Sequence, residues 1–184
     1  MAIFLAVTLV IELLANVAFP ALHIKGRYRN AMYNIFLLVE FMFYTYFLRQ
    51  ANTRTWIKKI ELGFLVFFPV LWVIMVFDKN GITQFHGAII ATGGFFIVCF
   101  SLAHLYFLSD TKEFRQISRI PEFWISIGLI IFYCCQTPYM GSMVYLVKYH
   151  LPLAKSLINL SLVINILMYC LFGYAFLCQR KNYL

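Results

Sequence analysis

Residues 87–108 read GAIIATGGFFIVCFSLAHLYFL, an apolar stretch that contains no Asp, Glu, Lys or Arg. A helix of about 20 mostly apolar residues can cross the hydrocarbon layer of a bilayer, because its backbone hydrogen bonds are all made within the segment. Other stretches of the chain have a similar length and character. The sequence predicts about six membrane-spanning helices, at residues 2–19, 31–48, 60–77, 87–108, 123–147 and 156–178.

The overall composition agrees with a membrane protein. Hydrophobic residues make up 63% of the 184 residues and charged residues only 12%, whereas a soluble domain has roughly 25% charged residues. The connections between the predicted spans are too short to hold a soluble domain. We therefore predict an all-α fold, in which residues 1–184 form a single polytopic transmembrane helical bundle. In the fourth span, Gly93 and Gly94 predict a point of close helix packing.

The basic residues predict an orientation in the membrane rather than a nucleic-acid site. The net charge is +8, but Lys and Arg occur in short clusters at helix ends and not on one domain face. Nine of them fall on the side that holds residues 49–59, residues 109–121 and the C-terminus, and six fall on the other side. Because cytoplasmic connections are enriched in Lys and Arg, we predict a multi-pass protein of the cell inner (cytoplasmic) membrane with a cytoplasmic C-terminus.

The first span opposes this orientation. Three basic residues follow it, namely Lys25, Arg27 and Arg29, while only the terminal amine precedes it. A seventh helix and a basic loop upstream of the first residue would remove the conflict, because basic residues would then precede the first span as well. The sequence therefore also predicts that the chain is truncated at its start.

Two glutamates, Glu12 and Glu40, lie near the middle of predicted spans. An ionised carboxylate at this depth costs about 2.5–3.5 kcal/mol on insertion scales, so such residues turn toward the interior of a helical bundle. Asn16 follows Glu12 by one helical turn, and Tyr44 follows Glu40 in the same way. This spacing predicts a polar seam between the first two helices, with a hydrogen-bonding neighbour for each acid.

Polar side chains in the fifth and sixth spans, Gln136 and Asn165, are predicted to complete a central polar pocket. Two interpretations of this pocket stay open. In the first, neutral Glu and Asn side chains hold the helices together, and each interhelical hydrogen bond contributes about 0.6–2 kcal/mol. In the second, at least one carboxyl handles protons or binds a ligand cation or polar group.

The four histidines do not predict a metal or haem site. Their positions, His23, His86, His104 and His150, show no HxH or HxxxH spacing. His104 lacks a second histidine at a comparable depth on another span, so we interpret it as a hydrogen-bonded intramembrane histidine. The standard catalytic motifs do not occur in the sequence either. We therefore predict neither a cofactor nor an enzymatic activity.

Two segments, NAMYNIFLLVEFMFYTYFL at residues 30–48 and IPEFWISIGLIIFY at residues 120–133, resemble a group of uncharacterised small multi-pass inner-membrane proteins of Bacteroidota. The resemblance extends from the second span to the sixth and includes the ending FLCQRK. It implies an inner-membrane helical bundle in which an acid matching Glu40 follows a YNIF-like stretch, and in which a further helix precedes the first span. It implies no particular activity.

We predict a non-enzymatic membrane sensor or interaction subunit with an intramembrane polar pocket. Its connections at residues 49–59 and 109–121 are expected to contact a membrane or cytoplasmic protein partner. The alternative is a small proton- or cation-coupled transporter or channel, acting as a homo-oligomer, in which Glu40 is the titrating group. A membrane enzyme that acts on a lipid or quinone through His104 is less favoured, because the polar residues do not cluster at one interface.

Overall fold

The computed structural model describes residues 2–14, 26–78, 81–83, 86–111 and 117–181. This part of the chain is almost entirely helical and contains no strand, which confirms the predicted all-α polytopic bundle. The described helices are α1 (Ala2–Leu13), α2 (Gly26–Ala51), α3 (Thr55–Asp78), α4 (Gly87–Thr111), α5 (Pro121–Tyr149) and α6 (Leu151–Lys181).

Within the described residues, five helical segments are long and apolar enough to cross a membrane. They are Tyr28–Ala51, Thr55–Phe77, Gly87–Asp110, Pro121–Ser142 and Pro152–Cys178. Each overlaps one of the predicted spans from the second to the sixth, so the multi-pass membrane character is confirmed. For the predicted first span, residues 2–19, helix α1 covers the first part, and residues 15–19 lie outside the described residues.

Successive long helices run in opposite directions through the bundle. The most extensive interface joins α5 to α6, and the next joins α4 to α5. At one end of the bundle, Trp124 of α5 packs its ring against Tyr174 of α6 at a centroid distance of 4.9 Å. The turn between α2 and α3 lies at this same end, which we call the turn end. Helix α1 packs on α2, because Phe4 stacks on Phe43 at 3.9 Å.

Aromatic side chains form the centre of the core where α2, α3, α5 and α6 meet. Phe41, Phe68, Tyr133 and Phe172 are all buried there. The rings of Phe41 and Phe68 pack edge to face, with an interplanar angle of 75°. Such a pair contributes about 0.5–1.5 kcal/mol of stability beyond that from the burial of the two rings. This centre encloses the mid-depth polar groups described below.

Gly93 and Gly94 allow α4 to approach its neighbours closely. A Cβ atom at Gly93 would lie 2.5 Å from Phe41 Cε2 on α2, and a Cβ atom at Gly94 would overlap Thr137 Oγ1 on α5. Both distances are too short for a real side chain, so only glycine permits this helix separation. The predicted point of close packing in the fourth span is therefore confirmed.

The two connections that we predicted as partner-binding loops are smaller than expected. Residues 49–59 are helical except for residues 52–54, so the prediction of an open loop there was wrong in its extent. In residues 109–121, α4 continues to Thr111, and residues 112–116 lie outside the described residues. Ile117 is buried, and the Trp124 indole donates a hydrogen bond to the Ser118 carbonyl at 2.8 Å. This connection therefore packs on the bundle as far as it is described.

Candidate functional site

The first buried polar centre lies at mid-depth and consists of Glu40 and Tyr133, which we call the central pair. The Tyr133 hydroxyl donates a hydrogen bond to Glu40 Oε1 at 3.1 Å. Glu40 on α2 is only 8% exposed, and Tyr133 on α5 is also buried. The predicted orientation of Glu40 toward the interior is thus confirmed, and the central pair joins two helices that are far apart in sequence.

Aromatic rings surround the central pair. The ring of Tyr44 lies 6.3 Å from the ring of Tyr133 and 6.3 Å from that of Phe172, both in edge-on arrangements. The Phe41 ring lies 5.5 Å from Tyr133 on another side. Because rings replace water around the carboxyl, an ionised Glu40 would lose much of its hydration. The site therefore suits a neutral acid, or an acid whose charge is compensated by a bound cation.

Of the other predicted pocket residues, Gln136 on α5 makes a separate contact with α6. Ser161 donates a hydrogen bond to Gln136 Oε1 at 2.8 Å, which joins α6 to α5. Gln136 follows Tyr133 by one helical turn, and Asn165 follows Ser161 by one turn. Gln136 therefore extends the polar face of α5 beyond the central pair, and its hydrogen bond runs to α6.

The predicted seam between Glu12 and Glu40 stays a prediction. The Glu12 backbone belongs to α1, whereas its side chain and the whole of Asn16 lie outside the described residues. On α1 it is Phe4 that packs beside Tyr44, at a ring distance of 5.3 Å. Glu12 follows Phe4 by about two helical turns along α1.

The second buried polar centre was not predicted. It lies at the turn end and consists of Asn52, Glu61 and His104, which we call the turn cluster. The Asn52 amide group donates a short hydrogen bond to Glu61 Oε1, and Asn52 Oδ1 lies 3.1 Å from His104 Nδ1. One side chain in the α2–α3 turn therefore connects an acid at the start of α3 to a histidine near the end of α4.

The partners of Asn52 fix the proton positions in the turn cluster. Its NH₂ group faces the Glu61 carboxyl, so its oxygen faces the imidazole and accepts a hydrogen bond from the Nδ1–H of His104. A neutral His104 then carries a free lone pair on Nε2. We infer this tautomer from the hydrogen-bond network, since hydrogen positions follow from the donors and acceptors present.

The turn cluster is more deeply buried than its position near a helix end suggests. Glu61 is 0% exposed, Asn52 is 2% exposed and His104 is 4% exposed. Among the described residues, Glu61 Oε2 and His104 Nε2 have no hydrogen-bond partner. Each buried polar atom without a partner costs about 1–3 kcal/mol. The turn cluster therefore has unused capacity for a proton or a water molecule.

A helical spacing in the sequence does mark the turn cluster in retrospect. On α3, the buried residues Ile57, Glu61, Phe64 and Phe68 recur at intervals of three or four, so the acid belongs to the inward face. The sequence alone does not indicate this burial, because Glu61 stands next to the start of a predicted span, where an acid is normally solvated. Asn52 lies in a predicted connection, where a polar side chain is normally solvated as well.

The hydrogen-bonding interpretation of His104 is confirmed by its contact with Asn52. His86 at the opposite end of the bundle lies 3.2 Å from the Gly81 carbonyl, and His150 ends α5, where its backbone N–H donates to the Leu146 carbonyl. His23 lies outside the described residues. In the part of the chain that the structure describes, no group of three His, Cys, Asp or Glu side chains could hold a metal ion.

Fold and polar centres together define an all-α, multi-pass membrane protein with one buried acid at mid-depth and a second at the turn end. The chain matches no protein-family model, and the comparisons with curated proteins and with solved structures give no match either. A function therefore has to be argued from the two polar centres themselves.

Proposed function

We propose that this chain is a non-enzymatic membrane sensor or interaction subunit, in which the packing of α2 against α5 responds to the charge state or occupancy of Glu40. The observation that supports this proposal is the central pair. In this pair, a hydrogen bond from Tyr133 to Glu40 Oε1 crosses between the two helices inside an aromatic core. A change in the charge or occupancy of this carboxyl would therefore alter the contact between the two helices.

The chemistry near Glu40 supports binding or sensing rather than catalysis. Group-transfer reactions need a nucleophile, a base and an oxyanion donor arranged around space for a substrate. The described groups at this site are the carboxyl of Glu40 and the phenols of Tyr133 and Tyr44, and aromatic rings enclose them. Proton binding needs only the carboxyl, and it converts a costly buried charge into a neutral group.

A signal from the central pair would leave through the turn end. There the exposed Arg54 pairs with Asp110 at 3.3 Å and lies over the Phe107 ring at 5.4 Å. These side chains belong to the α2–α3 turn and to the end of α4. An interaction partner on the predicted cytoplasmic side would thus meet a surface attached directly to α2.

The pH dependence of thermal stability tests this proposal. An ionised Glu40 costs several kcal/mol in an aromatic core, so the thermal stability of the wild type is expected to fall as the pH rises and Glu40 loses its proton. Glu40→Gln keeps an oxygen that accepts from Tyr133 but cannot ionise, so its melting temperature should lose most of this pH dependence. Thermal unfolding of the purified chain in lipid nanodiscs measures both.

A second measurement separates sensing from simple helix association. Spin labels at two exposed positions, Ile35→Cys on α2 and the native Cys134 on α5, report the distance between the helices when the other cysteines are replaced by alanine. A sensor should show a label distance that shifts with pH and stays constant in Glu40→Gln. A pH-dependent stability with an unchanged distance would reduce Glu40 to a structural group and overturn the proposal.

The turn cluster favours one alternative, a small proton-coupled transporter or channel. Glu40, Tyr44 and Leu48 recur every fourth residue on the buried face of α2, and Asn52 continues this spacing in the turn just after the helix. The central pair and the turn cluster therefore lie along one line. Proton flux into liposomes tests this alternative, with Glu40→Gln and Glu61→Gln as variants. A transporter predicts wild-type flux above that of empty vesicles and a loss in both variants, whereas a sensor predicts no flux.

A further inference from the structure

A groove of about 540 Å³ runs between α2 and α3 and is open to the surface of the bundle. Its walls are apolar or aromatic side chains, including Val39, Met42 and Tyr46 on α2 and Leu65 and Pro69 on α3. Both helices are long and apolar enough to cross a membrane. The groove therefore opens into the region that lipid acyl chains occupy.

The same helix faces lead from the groove to basic residues at the turn end. On α2, Arg49 follows Tyr46 by one turn, and on α3, Lys58 precedes Leu65 by two turns. The Arg49 Nε–H donates to the Lys58 carbonyl at 3.2 Å, which holds the two positions together. The remaining nitrogen donors of the Arg49 guanidinium are left for another acceptor.

The end of the groove that lies nearest the turn end, which we call its mouth, carries an excess of positive charge. Four cations occur there, at Arg49, Arg54, Lys58 and Lys59. Of these four, Arg54 forms an ion pair, with Asp110, and no ion pair of the other three is found with a described residue. The other nearby carboxyl, Glu61, is buried and bonded to Asn52. Even with both carboxyls ionised, the mouth keeps a net positive charge.

We propose that this groove binds an acyl chain of an anionic phospholipid whose phosphate lies between Arg49 and Lys58. A guanidinium can bind two phosphate oxygens at once, and lysine adds a point charge. Between the mouth and the groove, Gln50 donates a hydrogen bond to the Tyr46 hydroxyl. A ring with a polar tip suits the depth at which lipid esters meet acyl chains.

This proposal does not depend on a sensing role for Glu40. It commits to a lipid because an apolar groove that ends at unpaired cations matches the two parts of an anionic lipid. It also agrees with the predicted cytoplasmic position of the turn end, because anionic lipids attract basic residues on that side.

The test compares phosphatidylglycerol with phosphatidylcholine on the purified full-length chain. Native mass spectrometry should show saturable binding of phosphatidylglycerol in preference to phosphatidylcholine. Arg49→Gln/Lys58→Gln should weaken phosphatidylglycerol binding by roughly tenfold or more, since each basic residue contributes about 1 kcal/mol near an anionic headgroup. The matched control is Lys148→Gln, an exposed lysine at the opposite end of the bundle, which should keep wild-type binding.

A second variant tests the groove itself. Val39 is 49% exposed, so Val39→Trp can fill the groove from outside without changing the core, and it should reduce phosphatidylglycerol binding while the basic residues remain. Three results would overturn the proposal: equal binding of the two lipids by the wild type, an unchanged preference in the double variant, or full binding in Val39→Trp. A lipid-free dimer of the wild type that is lost in Val39→Trp would overturn it too, because a second copy would then occupy the groove.

Discussion

Asn52→Ala is expected to lower the free energy of unfolding by about 2–5 kcal/mol, although residue 52 lies in a turn. Asn52 is the shared partner of Glu61 and His104, and both are buried. Its loss leaves a carboxyl oxygen and an imidazole nitrogen without partners in a region that water does not reach. Reversible unfolding in mixed detergent micelles measures the change.

The matched control for this prediction is Asn159→Ala, which removes the same side chain from an exposed position on α6. Its effect should stay within about 0.5 kcal/mol. The double variant Asn52→Ala/Glu61→Leu should recover part of the lost stability, because an apolar side chain needs no hydrogen-bond partner. Equal effects of Asn52→Ala and Asn159→Ala would show that the turn cluster contributes nothing to stability.

Gly94→Ala is expected to destabilise the bundle by about 1–3 kcal/mol. The new Cβ would overlap Thr137 Oγ1 and would lie 3.1 Å from Tyr133 Cδ1. The α4–α5 interface is one of the two most extensive in the bundle, so the helices can separate only by giving up contacts along their length. The same change displaces Tyr133 and thereby disturbs its hydrogen bond to Glu40.

The control for the glycine prediction is Gly63→Ala on α3, where a Cβ would have no atom within 4 Å. This variant should be neutral or slightly stabilising, because alanine favours a helix over glycine by about 1 kcal/mol. Adding Thr137→Ala to Gly94→Ala removes the overlapping oxygen and should restore part of the stability. If Gly94→Ala melted at the wild-type temperature, the close approach of α4 to α5 would not be needed.

Part of the candidate site could be predicted because the cost of placing an unpaired charge in the membrane rises with depth. Glu40 lies in the middle of an apolar stretch, so its orientation toward the interior followed before any packing was known. Tyr44 followed from its spacing of one turn. Tyr133 could not be found in this way, because it is 93 residues from Glu40 along the chain, and the rotation of α5 decides which of its side chains faces α2.

By itself the sequence determined the membrane class, the all-α architecture and the approximate positions of the long helices. These properties follow from the length of each apolar stretch and from the need of the backbone to bond within its own segment. Only the tertiary structure decided that Asn52, Glu61 and His104 form the buried turn cluster. Asn52 and Glu61 stand where a sequence predicts solvated groups, and the packing of α4 against the α2–α3 turn buries both of them beside His104.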